Sequence, residues 1–345
     1  MSAPRRHFLG EMAKGIARTA SDGRAAISAA RDAVIKPALE LISPAPTDTG
    51  VDAPALPPLL APPARLATLE ELVELAGKLG LERRASDVLA CARTSWRLVR
   101  TTAEGASGVS QLGGRPARID ADSWPTRDGR PLPLLAQIDL TAVAPDALPS
   151  GFPSSETLLA FGDFESPAAA RTAATLLVVP DDAPQADPDA GPAEPLPVTP
   201  IRACPELVLP RVWSAPVEQL ELTPNQRDAW EQLRVQLAAG QGTEPSDRAP
   251  SEVEVQRLFG YPDERTGEMP LASELLTRGY ELMDDPPAVH PAAAEAEAAS
   301  GRWQLLLQLE LTRTLPTNAF SRLYFWATAE DVAAGEVAGV QAFTR

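Results

Sequence analysis

The sequence is poor in the side chains that most polar chemistry uses. Its 345 residues include two cysteines, Cys91 and Cys204, and two histidines, His7 and His290. A disulfide framework and a cysteine-based zinc site are therefore excluded. Neither histidine has acids or cysteines at metal-ligand spacing, which excludes a histidine-rich metal site and a histidine-dependent triad in the body of the chain. Long apolar runs are also missing, and none approaches the roughly 20 residues that span a bilayer. Basic residues are few: 31 Lys and Arg face 47 Asp and Glu, a formal charge of −16. That balance opposes binding to a nucleic-acid backbone, which rests on cations displacing counterions, and favours a protein partner with a basic surface. The scarcity of thiols points to a reducing, cytoplasmic setting.

What the chain does have is 44% hydrophobic residues, enough for a sizeable core, and 36 prolines gathered in bunches. Residues 1–42 stand apart. Phe8, Met12, Ile16 and Ala20 recur at helical spacing, and seven cations against four acids give this stretch +3, leaving −19 for the rest. It reads as an amphipathic helix over about 5–42, suited to docking on a partner or an anionic membrane surface. Arg5-Arg6-His7-Phe8-Leu9 matches a twin-arginine export signal, but Glu11, Lys14, Arg18 and Asp22 fall where the apolar core of such a signal belongs. Residues 43–65 hold seven prolines and read as an extended linker before a domain at 66–345. There Thr68 and Glu71 have capping-box spacing and announce a helix that Gly80 closes. A short helix at Ser86–Ala92 and a strand at Trp96–Thr101 follow, and Thr223-Pro224 opens a longer helix to about Ala239.

One pattern is written twice. Leu112-x-Gly114-x-Pro116 precedes Leu134 to Leu140, which closes on Gln137-Ile138-Asp139-Leu140, and then Leu158 to Phe161. Leu258-x-Gly260-x-Pro262 precedes Leu305 to Leu311, which closes on Gln308-Leu309-Glu310-Leu311, and then Leu323 to Trp326. Two copies of one supersecondary unit bury their apolar faces together. The expected fold is α+β: a β-rich domain of two fused, duplicated repeats at about 95–180 and 252–345, with inserted helices. Between the repeats, 180–200 carries seven prolines and five acids with no basic residue, and reads as a mobile surface loop.

These motifs, in order over residues 95–345, resemble the YwqG-like (DUF1963) family of bacterial proteins. The matching stretches are Ser110 to Pro116, Trp124-Pro125, Gly129-Arg130-Pro131-Leu132, Gln137 to Leu140, Gly260-Tyr261-Pro262-Asp263, Trp303 to Leu309, and Leu323 to Phe325 with Asp331 to Gly335. The first 65 residues lie outside the resemblance. Gln111 replaces the family's lysine, and Asn318 to Ser321 stand where an acid-bearing Trp-Gly-Asp segment is usual. The resemblance implies no established activity, although some members are similar to immunity proteins encoded beside secreted toxins.

The candidate catalytic groups are Asp139 and Glu310, equivalent carboxylates that serve hydrolysis if the duplication brings them to one cleft. The bland alternative is that each caps a strand end while Gln137 and Gln308 bind backbone. Glycines in both turns read as tight-turn requirements rather than phosphate cradles. The expected binding residues are Gln137, Gln308, Trp124, Tyr261 and Arg322, with neither metal nor cofactor. The leading expectation is a non-catalytic interaction module, immunity-like in outline, and the alternative is a carboxylate-dependent hydrolase.

Overall fold

The computed structural model describes residues 68–105, 108–143, 148–163, 173–187, 190–239, 256–263, 268–282, 286–310 and 322–344. The helix and linker expected at 1–65, and Asn318 to Ser321, lie outside them. The chain divides at Pro58/Leu59, and everything described belongs to the second part.

Helices α1 (Leu69–Lys78) and α2 (Ala85–Cys91) lead into β1 (Arg93–Arg100). Next come β2 (Gln111–Leu112), a small hairpin of β3 (Thr126–Arg127) and β4 (Arg130–Pro131), then β5 (Leu134–Asp139), β6 (Glu156–Asp163), β7 (Ala173–Pro180) and β8 (Thr199–Val208). Two helices follow, α3 (Ala215–Glu218) and α4 (Pro224–Ala239), then β9 (Arg257–Leu258), α5 (Met269–Thr277) and α6 (Ala293–Ser300). The described chain ends with β10 (Trp303–Glu310), β11 (Arg322–Thr328), α7 (Ala329–Ala334) and β12 (Gln341–Thr344). The start of α1 carries the full capping box: Thr68 Oγ1 accepts from Glu71 N–H, and the Glu71 carboxylate accepts from Thr68 N–H at 2.9 Å.

Ten strands form one antiparallel sheet in the order β12-β11-β10-β9-β1-β8-β2-β5-β6-β7, and its two edges approach each other, so the sheet curls into a nearly closed barrel. The order reads alike from both ends if β7 is matched with β12, β6 with β11, β5 with β10, β2 with β9 and β8 with β1. The registers match too. Gln111 faces Gln137 and Leu112 faces Ala136, as Arg257 faces Gln308 and Leu258 faces Leu307. Both inner ladders break register one residue later, between Leu134 and Ala136 and between Leu305 and Leu307. The turns agree as well: Gly113 and Gly114 take positive φ, and so do Phe259 and Gly260. A Cβ on Gly114 would come within 2.7 Å of Val198, and one on Gly260 within 2.7 Å of Ser95, so neither position admits a side chain. At the centre β1 pairs with β8, Val99 facing Arg202.

Alternation sorts each strand between two environments. Leu323 and Phe325 join Leu98, Leu135, Ile138, Ile201 and Leu307 inside the barrel, while Tyr324 and Trp326 lie outside under Met269 and Ala272 of α5. On the other half the outer face is Leu134, Leu159 and Phe161, packed with Ile119 and Trp124. A separate apolar cluster joins α1, α2 and α4 around Trp230.

One expectation needs correction, and one strand was not foreseen. The acidic stretch at 180–200 is not a free loop where it is described. Ala183, Ala186 and Ala190 pack on the Trp124–Phe161 cluster, Ile119 N–H donates to Pro184 O at 3.1 Å, and Gly114 N–H to Leu196 O at 2.8 Å. Its prolines need no donor partners, so an extended path along a folded surface suits it. Strand β8 escaped the sequence reading because Pro200 and Pro205 interrupt it; β2 pairs only with Thr199 and Pro200, leaving the rest of β8 one sheet neighbour.

Candidate functional site

Strands β1, β8 and β9, with the Gly260 turn, carry a buried ionic cluster. Strand alternation puts Arg97 of β1, Glu206 of β8 and Arg257 of β9 on one side of the sheet, each less than a tenth exposed. Arg97 holds Glu206 through Nε at 2.8 Å and Nη2 at 2.6 Å, and Arg257 Nη2 stands 3.5 Å from the other Glu206 oxygen. Next to them Asp263, the residue after the Gly260-Tyr261-Pro262 turn, is 8% exposed. It pairs with Arg211, with Arg322 at 3.0 Å and with Arg234 at 3.6 Å. Arg322 also binds Glu310 at 3.0 Å and the Asp263 carbonyl at 2.8 Å. Gln308 anchors the turn, its Oε1 accepting Asp263 N–H at 2.8 Å.

Burial alone would push the Asp263 carboxyl up, but Arg211, Arg322, Arg257 and Arg234 outweigh it and hold the group below the ordinary carboxylate value. Glu274 of α5 behaves alike: its burial is overcome by the Trp303 indole, donating at 3.0 Å, and by Arg278 and Arg302. Burial raises the Tyr261 hydroxyl and the Cys91 thiol, and it lowers the Arg257 guanidinium. The acids are thus held as carboxylates, and the thiol and phenol as neutral groups.

Above this cluster, between the Gly260 turn, α3, α5 and α6, a cleft of about 270 Å³ opens. Its walls are aromatic and proline-rich: Trp213, Tyr261, Trp303 and Trp326 with Pro210, Pro216, Pro262 and Pro270. Arg93 lies over the Tyr261 ring at 4.6 Å and Arg211 over Trp213 at 5.1 Å. Trp326 is 4% exposed, and neither its buried indole N–H nor that of Trp213 has a partner among the described residues. Glu268 and Glu297 stand at the lip, without ion-pair partners among the described residues. The model for the domain of unknown function DUF1963 matches residues 110–342, which takes in both Gly-x-Pro turns, the cleft wall and most of the ionic cluster.

The chain belongs to the DUF1963 family. No curated protein matches it. Within this DUF1963 domain the sequence-derived residues fall into two groups. Gln308, Glu310, Tyr261 and Arg322 gather around Asp263. Gln137, Trp124 and Asp139 belong to the other half, where Gln137 Oε1 accepts Ala117 N–H at 2.8 Å, Trp124 donates to Leu132 O at 3.0 Å, and Asp139 accepts from Thr141 N–H at 3.0 Å. Four strands stand between β5 and β10, so Asp139 and Glu310 are not neighbours along the sheet. The reading missed Asp263 and its arginines Arg211, Arg234 and Arg257, together with Arg97, Glu206 and Trp213. A signal for three of them exists in Arg97, Glu206 and Arg257, charged residues set among apolar strand positions. Among the described residues no three His, Cys, Asp or Glu side chains are placed to hold a metal ion, and no helix is long and apolar enough to cross a membrane.

Proposed function

We propose that this DUF1963 protein is a non-catalytic cytoplasmic binding module for a protein partner with a basic surface, immunity-like in outline. The cleft carries the reading: an aromatic, proline-lined surface where Glu268 and Glu297, which have no ion-pair partner among the described residues, stand beside Arg93, on a chain of charge −16. The ionic cluster beneath it acts as a rigid floor. Its acids are engaged by arginines, and a general acid or base needs a group poised near the working pH. A hydrolase using Asp139 and Glu310 is the alternative, weakened by the separate engagement of each in its own half. The decisive experiment isolates a partner from the native cell, purifies the pair and measures binding of the wild type and of Asp139→Asn with Glu310→Gln. Salt-sensitive binding that survives this double change supports the module; a turnover that the change abolishes overturns it.

The same reading treats the body as two fused repeats, supported by the mirrored strand order, the matched registers and the paired glutamine-to-turn hydrogen bonds of Gln137 and Gln308. Residues 5–42 would act as a separate docking helix, on sequence pattern alone.

A further inference from the structure

We infer that α1, α2 and α4, with the 209–222 stretch that carries α3, form a leaf that opens as one cooperative unit from a barrel that stays folded, and that Asp263 is the latch that holds it shut. Opening takes one wall of the cleft away from the other. The inference does not depend on what the cleft binds, so it stands or falls apart from the binding-module reading.

Packing separates the two parts. The leaf has a core of its own: Leu72, Leu81, Val88, Val217, Trp230 and Leu233 are buried in one cluster, which shares no residue with the barrel interior. Leu207, at the end of β8, is the strand residue among the described ones that packs on it. The leaf's polar anchors are internal as well, the Trp230 indole donating to Pro210 O at 2.8 Å and Val212 N–H to Glu231 at 3.0 Å. It leaves the barrel where β1 and β8 lie side by side, Arg93 facing Val208. A group of elements with its own core and a narrow attachment opens together, because local unfolding follows contiguous packed units.

Where the leaf meets the outer face of the central strands, charges face each other. Arg97, Glu206, Arg257 and Asp263 stand on the barrel side, each less than a tenth exposed. Arg211 and Arg234 stand on the leaf side, both paired with Asp263, the second at 3.6 Å. Arg97 reaches across to the Ala238 carbonyl, in the last turn of α4, at 2.8 Å. Charges that part regain their hydration, which offsets much of the lost pairing, whereas parted apolar surfaces regain nothing. The ionic layer is therefore the plane along which the fold opens at least cost. Asp263 takes partners on both sides of it: Arg211 and Arg234 on the leaf, and Arg322 at 3.0 Å on the barrel. The cleft straddles the same plane, with Pro210, Trp213 and Pro216 on the leaf and Tyr261, Trp303 and Trp326 on the barrel.

The test is native-state hydrogen exchange of the full chain, followed by mass spectrometry at urea concentrations below the global midpoint. In the wild type, amides of α1, α2 and α4 exchange through one shared opening, about tenfold or more faster than those of β5, β6 and β10 once intrinsic rates are removed. Arg211→Gln with Arg234→Gln takes the latch from the leaf side alone. It speeds all three helices by about a further tenfold and leaves β5, β6 and β10 within about twofold. Arg234→Gln by itself, with a smaller effect on the same helices, serves where the double variant does not fold. Leu72→Ala, in the leaf core, leaves the latch in place and speeds α4 together with α1, because the unit opens as one. Helices and strands that exchange through one common opening overturn the inference, as do three helices that open at separate rates. A latch variant that leaves the helices unchanged, or speeds the strands equally, also overturns it.

Discussion

Gln308 fastens the turn that carries Asp263, its side-chain oxygen accepting the Asp263 backbone N–H at 2.8 Å inside a fully buried environment. Gln137 holds Ala117 N–H over the same distance in the other half. Replacing Gln308 by leucine strands a buried donor, which costs about 1–3 kcal/mol, whereas Ala117 is exposed and its N–H can turn to water. Urea unfolding should therefore show a loss of that size for Gln308→Leu and a smaller one for Gln137→Leu. Gln308→Leu should also lower partner affinity, because the turn it anchors forms the cleft wall, while Gln137→Leu should not. A neutral Gln308→Leu would remove the turn clamp from the account.

The Asp263 carboxylate has a pH signature. Four arginines hold its folded pKa below the ordinary value of 3.8, so the stabilisation is present above that value and is lost as pH falls through the folded one. Asp263→Asn leaves the partly buried Arg211 without its counter-charge and takes one from Arg322 and Arg234, which keep Glu310 and Glu231, at a cost of about 1–3 kcal/mol near neutral pH. The gap between wild type and variant should narrow in acid, below about pH 4. Chemical denaturation at a series of pH values checks this. A gap that widens on acidification means that the carboxyl is not held ionised.

Local chemistry made much of this legible. The Thr68–Glu71 box, the Thr223-Pro224 start of α4 and the alternation in Leu323 to Trp326 each rest on neighbours a few residues apart, and the helix starts and strand faces follow from them. Tyr261 was found through the repeat and the family motifs. What stayed hidden depends on distant pairing. Arg97 meets Glu206 only because β1 lies beside β8, and Asp263 meets Arg211 and Arg234 only when the turn folds against α3 and α4. Composition cannot reveal such partners, since an arginine in a strand looks equally suited to solvent. The 180–200 stretch misled for the opposite reason: its composition is that of a free loop, yet Trp124 and Arg115 supply a surface that binds it.

Gly191 gives a direct handle on that cover. It has φ +87°, and an added Cβ would press into the Trp124 ring. Gly191→Ala should destabilise the protein by about 1–3 kcal/mol and loosen the 180–200 stretch. Limited proteolysis should then cut within it while the barrel stays whole. An unchanged cleavage pattern and melting midpoint would show that the stretch contributes no stability to the first half.

Electrostatic capture of a basic partner makes the last prediction. Association with the purified partner should slow as ionic strength rises past about 0.15 M, where the screening length is roughly 8 Å, with dissociation changing far less. Two acidic surfaces compete for the role. Reversing Asp181, Asp182, Asp187 and Asp189 should matter only if the 180–200 stretch itself meets the partner, whereas reversing Glu268 and Glu297 should slow association if the cleft does. Because Ala183, Ala186 and Ala190 of that stretch already pack on the chain's own Trp124–Phe161 cluster, the larger effect is expected from Glu268 and Glu297. Stopped-flow rates for both charge-reversed variants at two salt concentrations decide between them. A complex indifferent to salt would mean that apolar burial, not charge, draws the partner in, and the acidic body would need another explanation.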